Sequence, residues 1–303
     1  MASPAPVRPA ATYAAFASCT LIWGSTFLFI ALGNDTVPPI WAATLRLALA
    51  SVILTAFALL TGQRLPRGAA FKSAAWLGFF QFGLNFPLLY WGETVVPSGV
   101  AAILFATIPL SSAMLARAFG LERLTRAKIG GALIGLGGVA IIFRGETSTH
   151  VAVMPMLAIL AATLCACLGT ILYKKGPRQS AIGANAVATA VGGVVSLVIS
   201  VMAGESMRMP TTWGAIFPIL YLTIAGSVGA FVLFAWLVSH WDVTKAAYVS
   251  VTAPIAAVTL GAIVRHEQLA ATSLLGSVVV LAGVLVGLQP WRRPGVAAAG
   301  EPV

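Results

Sequence analysis

Few side chains in this chain are equipped to bind or react, and most of them interrupt apolar runs. Gln81 and Asn85 are four residues apart, so a helix would set both on one face. Their neutral amides do not titrate, but they can bind a carboxylate, an ammonium group or a neighbouring helix. Solute contact and interhelical hydrogen bonding both stay open. Trp23, Tyr90, Trp91, Tyr173, Trp236 and Tyr248 offer aromatic faces for stacking or for attracting a cation. Trp23 lies near the middle of its run and is the stronger cavity candidate, whereas Trp91 and Trp236, near run ends, also fit an interfacial belt. Lys245 shares a helical face with Tyr248 and Thr252; solute or gating contact competes there with snorkelling to water. Arg46 stands inside a run, where snorkelling, hydrogen bonding to carbonyls at a broken helix end and binding of a solute carboxylate are the alternatives.

The missing chemistry restricts function as much. The eight acidic residues are Asp35, Glu93, Glu122, Glu146, Glu205, Asp242, Glu267 and Glu301, all in loops, in the tail or at run ends. Ionisable groups inside a bilayer are costly and usually functional. No mid-membrane carboxylate is evident, which points to a neutral or zwitterionic solute, or an amphiphile held by aromatic faces. Uniport or exchange is then favoured over carboxylate-mediated proton coupling. Glu93 is the exception to watch, since a shift of one turn would carry it into a cavity. His240 is isolated, and Ser98-Gly99 has no histidine placed to pair with it, so no enzyme is expected. Cys19, Cys165 and Cys167 lie in apolar runs and read as inert thiols. No metal site, other cofactor or nucleic-acid partner is expected.

The elements that must position these groups are membrane spans. The chain has 303 residues, 59% hydrophobic and 9% charged, with a mean hydropathy of +0.96. A soluble domain carries about 25% charged residues. Apolar stretches fall near 12–32, 40–61, 72–92, 98–119, 127–143, 152–173, 182–202, 212–238, 244–264 and 271–289, each long enough to span. They do not alternate as barrel strands do. The expected fold is all-α, with ten transmembrane helices. The net charge of +10 distributes as an orientation signal: 14 Lys and Arg fall on one side, three on the other, and Arg46 lies within a span. The crowded side is cytoplasmic by the positive-inside rule, which puts both termini inside.

Sliding the chain on itself by 145 residues gives 12 identities over positions 90–139. Trp91 meets Trp236, Thr107 meets Thr252, Pro109 meets Pro254, Glu122 meets Glu267 and Gly131 meets Gly276. Each repeat holds five spans, an odd number, so the second enters the membrane the opposite way. Inverted repeats of this kind characterise secondary transporters. Pro87, Pro109 and Pro254 interrupt spans and are candidate gating hinges. Glu122 and Glu267 fall on opposite membrane faces, which excludes acid–base cooperation and favours helix capping or loop pairing. The GxxxG spacings Gly131/Gly135 and Gly283/Gly287 predict close packing, within the chain or between chains.

Trp23-Gly24-Ser25-Thr26-Phe27, Pro39 with Arg46, Gly120-Leu121-Glu122-Arg123-Leu124 and a glycine-rich fifth span resemble the EamA-type repeat of the drug/metabolite transporter superfamily. The second copy departs from it, with Val191 in place of Arg46 and Leu168 in place of Trp23. The resemblance implies two EamA-type five-helix repeats, 12–143 and an inverted 152–289, a structural role for Arg46, and a cavity among spans one, three, four, six, eight and nine. It also implies a bacterial inner-membrane exporter of amino acids and related metabolites, working by alternating access. An exporter of amphiphilic drugs is the first alternative; a channel or membrane scaffold is the second. The expected partners are a small solute and the lipid bilayer, and a monomer is compatible with all of these.

Overall fold

A computed structural model describes residues 9–120, 125–148, 153–230, 233–234, 236–237 and 249–288. The described residues are helical apart from turns and short connections. Helices α1 (Pro9–Asn34) and α2 (Pro39–Leu60) are followed by α3 (Ala69–Leu77), which continues through a π-helical segment, Gly78–Leu84, into α4 (Asn85–Gly92). Then come α5 (Ser98–Phe105), α6 (Ile108–Ala118) and α7 (Arg126–Ser148). In the second half, α8 (Val153–Lys174) and α9 (Ala181–Met202) precede α10 (Trp213–Tyr221), which runs into a second π segment, Leu222–Gly229. Last are α11 (Val249–Val264) and α12 (Ala271–Leu288).

Six of these runs are long and apolar enough to cross a bilayer, with α5 and α6 counted together; shorter apolar helices accompany them. Large apolar side chains such as Leu21, Val52, Leu60, Leu133, Val194 and Val278 lie exposed on their outer faces. In water that would be an aggregating surface; in lipid it is the solvated one.

The 145-residue offset reappears in the backbone. Adding 145 to the first π segment gives 223–229, which is the second π segment less its first residue. Such segments are rare and widen a helix by one residue per turn, so their recurrence at equivalent positions is independent support for the repeat. Prolines accompany both: Pro87 follows the first by three residues and Pro218 precedes the second by four.

Two helix pairs form the frame between halves. In the α2–α9 pair, Thr44 donates to Ser196 at 2.9 Å and Ser196 reaches the Ile40 carbonyl, so the start of α2 meets the end of α9. In the α7–α12 pair, a Cβ on Gly131 would lie 2.5 Å from the Gly283 carbonyl oxygen, and one on Gly138 would lie 2.7 Å from that of Gly276. Both pairs are antiparallel. Only a hydrogen side chain permits such an approach, and the glycines of the GxxxG spacings use it within the chain.

Candidate functional site

Arg46 is the most buried basic residue among the described residues, 5% exposed and seven residues in from the start of α2. Its Nε donates to Ser227 Oγ at 3.0 Å and its Nη1 to the Tyr90 hydroxyl at 3.2 Å. Its guanidinium lies 4.6 Å above the Phe86 ring. Ser227 in turn donates to Leu222 O, five residues back, a bond that fits the wider π turn. Gly226 lets the group fit: a Cβ there would come within 3.0 Å of Thr26 Cγ2 and 3.4 Å of Arg46 Nη2. The arginine therefore joins α2 and α4 of the first half to the π segment of the second. No carboxylate within ion-pair distance appears among the described residues, so its charge is balanced by neutral oxygens and a π face.

The other sequence candidates divide into groups. Tyr90 is part of this cluster and stacks on Phe86. Asn85 is fully buried; its Nδ2 donates to Gln81 O at 2.9 Å, while its Oδ1 has no partner among the described residues. Gln81 sits in the π segment, and its backbone presses on Gly169 of α8. Trp23 lies in a second cluster with Cys19, Phe16, Leu233 and Trp236, its ring 4.9 Å from that of Phe234. Thr252 faces Thr20, hydroxyl to hydroxyl, at 2.9 Å. Tyr173 is half-buried against the main core, whereas Trp91 is 42% exposed and points away from Tyr90's environment. Lys245, Tyr248 and Glu122 lie outside the described residues.

The prolines behave differently from one another. Pro109 sits at the start of α6, beyond the break at Ala106–Thr107, whereas its equivalent Pro254 lies inside an unbroken α11. Pro87 is buried in α4. Pro109 also lines a cavity of about 380 Å³ between α6 and α7 of one half and α8 and α12 of the other, with Ser112, Lys128, Thr170, Lys174 and Gly287.

At the opposite end of the bundle the halves are tied together. Helices α2 and α5 both begin after a proline and have no side-chain cap of their own, which leaves N-terminal N–H groups to satisfy. Glu205 takes those of Ile40 and Trp41, at 3.0 and 2.7 Å. Glu267 takes those of Ser98 and Gly99, at 3.1 and 3.4 Å, and the Ser98 hydroxyl at 3.0 Å. Arg265 forks onto Asp35 at 2.6 and 3.2 Å, and that hydrogen-bonded pairing raises the arginine's pKa further. Every one of these contacts crosses from the second half to the first. Beneath them, in the turn after α4, lies Glu93, 4% exposed.

Sequence reasoning missed Ser227, Tyr221, Ser25 and Glu205 as members of these networks. Tyr221 meets Ser25 of α1 at 2.6 Å and packs on Phe29 at 4.1 Å. Ser25 belongs to the Trp23–Phe27 motif, which is the one signal that pointed near it.

Residues 11–144 and 153–288 each match the EamA-like transporter family. The chain belongs to that family. Among its EamA relatives, the uncharacterized inner membrane transporter YedA of Escherichia coli is 29% identical over 276 residues, 90% of each chain. The uncharacterized transporter YdfC of Bacillus subtilis is 30% identical over 264 residues, 87% of this chain and 86% of that one. A probable amino-acid metabolite efflux pump of Escherichia coli is 23% identical over 287 residues, 90% and 94%. A crystal structure at 17% identity superposes with a TM-score of 0.60 over 92% of this chain and 96% of its own, which shares the fold. The EamA assignment makes this chain a membrane transporter rather than an enzyme.

Proposed function

We propose that this EamA protein is a secondary transporter of the bacterial inner membrane that exports amino acids and related small metabolites by alternating access. In this reading it has ten spans in two inverted five-span repeats and both termini in the cytoplasm, as the charge asymmetry of its loops favours. The observation that carries it is the one-sided closure. Polar ties from the second half cap or pair the first half at one end, while the cavity between the halves lies towards the end bearing Lys128 and Lys174. Unequal packing of equivalent helices supports it: among the described elements α1 rests mainly on α11, whereas its counterpart α8 rests mainly on α4. An exchange of those partners would produce the mirror-related state.

Arg46, Tyr90, Phe86, Asn85 and Trp23 would hold the solute. A guanidinium facing no acid suits a carboxylate, and the neighbouring rings suit an apolar side chain. Pro109 and Pro254 would serve as hinges. The similarity to a probable amino-acid metabolite efflux pump agrees with this class of solute. Purified protein in liposomes should show saturable uptake and counterflow of labelled phenylalanine or leucine, with apparent affinity altered by substitution of Trp23, Gln81 or Asn85. Flux without trans-stimulation would mean a channel, and no flux a scaffold. Flux of amphiphilic dyes with none of amino acids would mean a drug exporter. Unchanged transport in all three variants would remove the proposed site.

A further inference from the structure

We propose that Glu93 is a proton-binding site that links protonation to closure of the bundle end formed by the turns 34–39, 93–97, 203–212 and 265–270. Its use in a transport cycle rests on the alternating-access reading; the proton site itself does not.

Glu93 continues the last turn of α4, its N–H bonded to Leu89 O at 2.9 Å. The preceding Gly92 lets α8 close over this end, since a Cβ there would lie 2.5 Å from Ile159 Cγ1 and 3.0 Å from Pro155 O. Neither carboxyl oxygen of Glu93 has a hydrogen-bond partner among the described residues. An ionised carboxylate without water or donors is strongly disfavoured, so the protonated form is the one that fits this pocket.

The charged groups facing it come from several elements. Arg46 approaches from α2, but its guanidinium is engaged with Ser227, Tyr90 and Phe86. Arg265 and Glu267 approach from the α11–α12 turn. Arg265 is held by Asp35 at the end of α1, and lies 3.7 Å from Glu267. Glu267 itself is spent on the start of α5 and adds a like charge. Tyr90, on the same helix, gives its oxygen to Arg46, and the adjacent face of α8 supplies Pro155, Met156 and Ile159. Burial first, then the Glu267 charge, holds the Glu93 pKa well above the usual carboxylate range, against the opposing pull of Arg46 and Arg265.

Opening this end would separate Arg265 from Asp35, free Glu267 from α5 and admit water to Glu93. The O–H bond then breaks, its electron pair stays on the carboxylate and the proton passes to water. Closing takes one proton back. The closed form binds more protons, so acid favours closure and rising pH favours opening.

The test uses full-length protein with Cys19, Cys165 and Cys167 replaced by alanine and a reporter Val96→Cys in the buried turn beside Glu93. Labelling by a membrane-impermeant maleimide, normalised to an exposed Val95→Cys control, should rise with pH by up to about 10-fold per unit until the raised pKa of Glu93 is passed. In Glu93→Gln, which mimics the protonated acid, it should be slow and flat with pH. Pulses of acid should also show a protonated-carboxyl infrared band near neutral pH in wild type that Glu93→Gln lacks. A pH profile unchanged by the substitution overturns the proposal. So does the absence of that band in wild type. Loss of folded protein in Glu93→Gln while Glu93→Asp folds would show that the charge itself is required, and would also overturn it. Because none of these readouts uses a solute, a wrong solute class would show up only in the flux assay.

Discussion

Replacing Glu267 tests whether the ties at the closed end hold the two halves together. Its carboxylate accepts two backbone N–H groups and one hydroxyl at the start of α5. The side chain is only 12% exposed, which limits screening by salt. Losing a helix N-cap costs about 0.5–2 kcal/mol, and hydrogen bonds to a charged group are worth about 1.5–3 kcal/mol each. The Gly99 bond is long, and water would replace part of the loss on opening. We take about 2 kcal/mol for Glu267→Ala, equivalent to a roughly 30-fold shift towards the open form. Glu267→Gln keeps one acceptor oxygen and should shift it by about 5-fold. Labelling of Val96→Cys at fixed pH measures this directly. A core control, Val284→Cys in α12, separates opening from unfolding, because Val284 is fully buried and lies beside Gly283, which packs on Gly131 at the start of α7, towards the opposite end of the bundle. Wild-type labelling of Val96→Cys in Glu267→Ala would refute the reasoning, as would equal acceleration at Val284→Cys.

Further expectations concern other parts of the molecule. Gly138→Val would drive a side chain into Gly276 O and Val280, and should cost about 3 kcal/mol or more, read as loss of folded protein or a large fall in thermal midpoint in detergent. Asp35→Asn removes a partly exposed ion pair, with side chains 28% and 53% accessible; it should cost no more than about 1 kcal/mol and raise Val96→Cys labelling by less than about 5-fold, an effect that salt diminishes. Arg46→Met leaves Tyr90 and Ser227 without their donor and should cut counterflow of labelled phenylalanine by at least about 10-fold, with Arg46→Lys recovering only part because the fork is lost. Wild-type unfolding stability should fall as pH rises from about 4.3, the ordinary glutamate value, towards the raised value of Glu93, and Glu93→Gln should flatten that slope.

Helices and repeat were written in the chain because both depend on local pattern. Apolar runs and glycine spacings survive any rearrangement of neighbours, and the 145-residue offset resurfaces in the two π segments. What was not legible depends on distant partners. Glu205 and Glu267 act on helices 164 to 169 residues away, and nothing in their own surroundings names those helices. Glu93 reads as a loop acid because it follows the last helical residue; its burial is imposed by α8 and by turns from both halves. Ser227 looked like an ordinary small polar residue until a π turn aimed it at Arg46. Tyr90 and Trp91 are adjacent in sequence, yet one is buried and the other faces outward, a distinction that helical phase decides and composition does not.

The glycine-packed pair α7–α12 and its companion α2–α9 are the two most extensive contacts between the halves among the described residues. In each, the two members occupy corresponding places in the two repeats, so exchanging the roles of the halves returns the same pair. Such contacts have no reason to break when the remaining helices trade neighbours. Under the alternating access proposed above they would make a chassis, with motion confined to α1 against α8, α3–α4 against α10, and α5–α6 against α11. Amide hydrogens along α2, α7, α9 and α12 should therefore exchange at the same slow rate whichever end is open, while those of the trading helices change with the state.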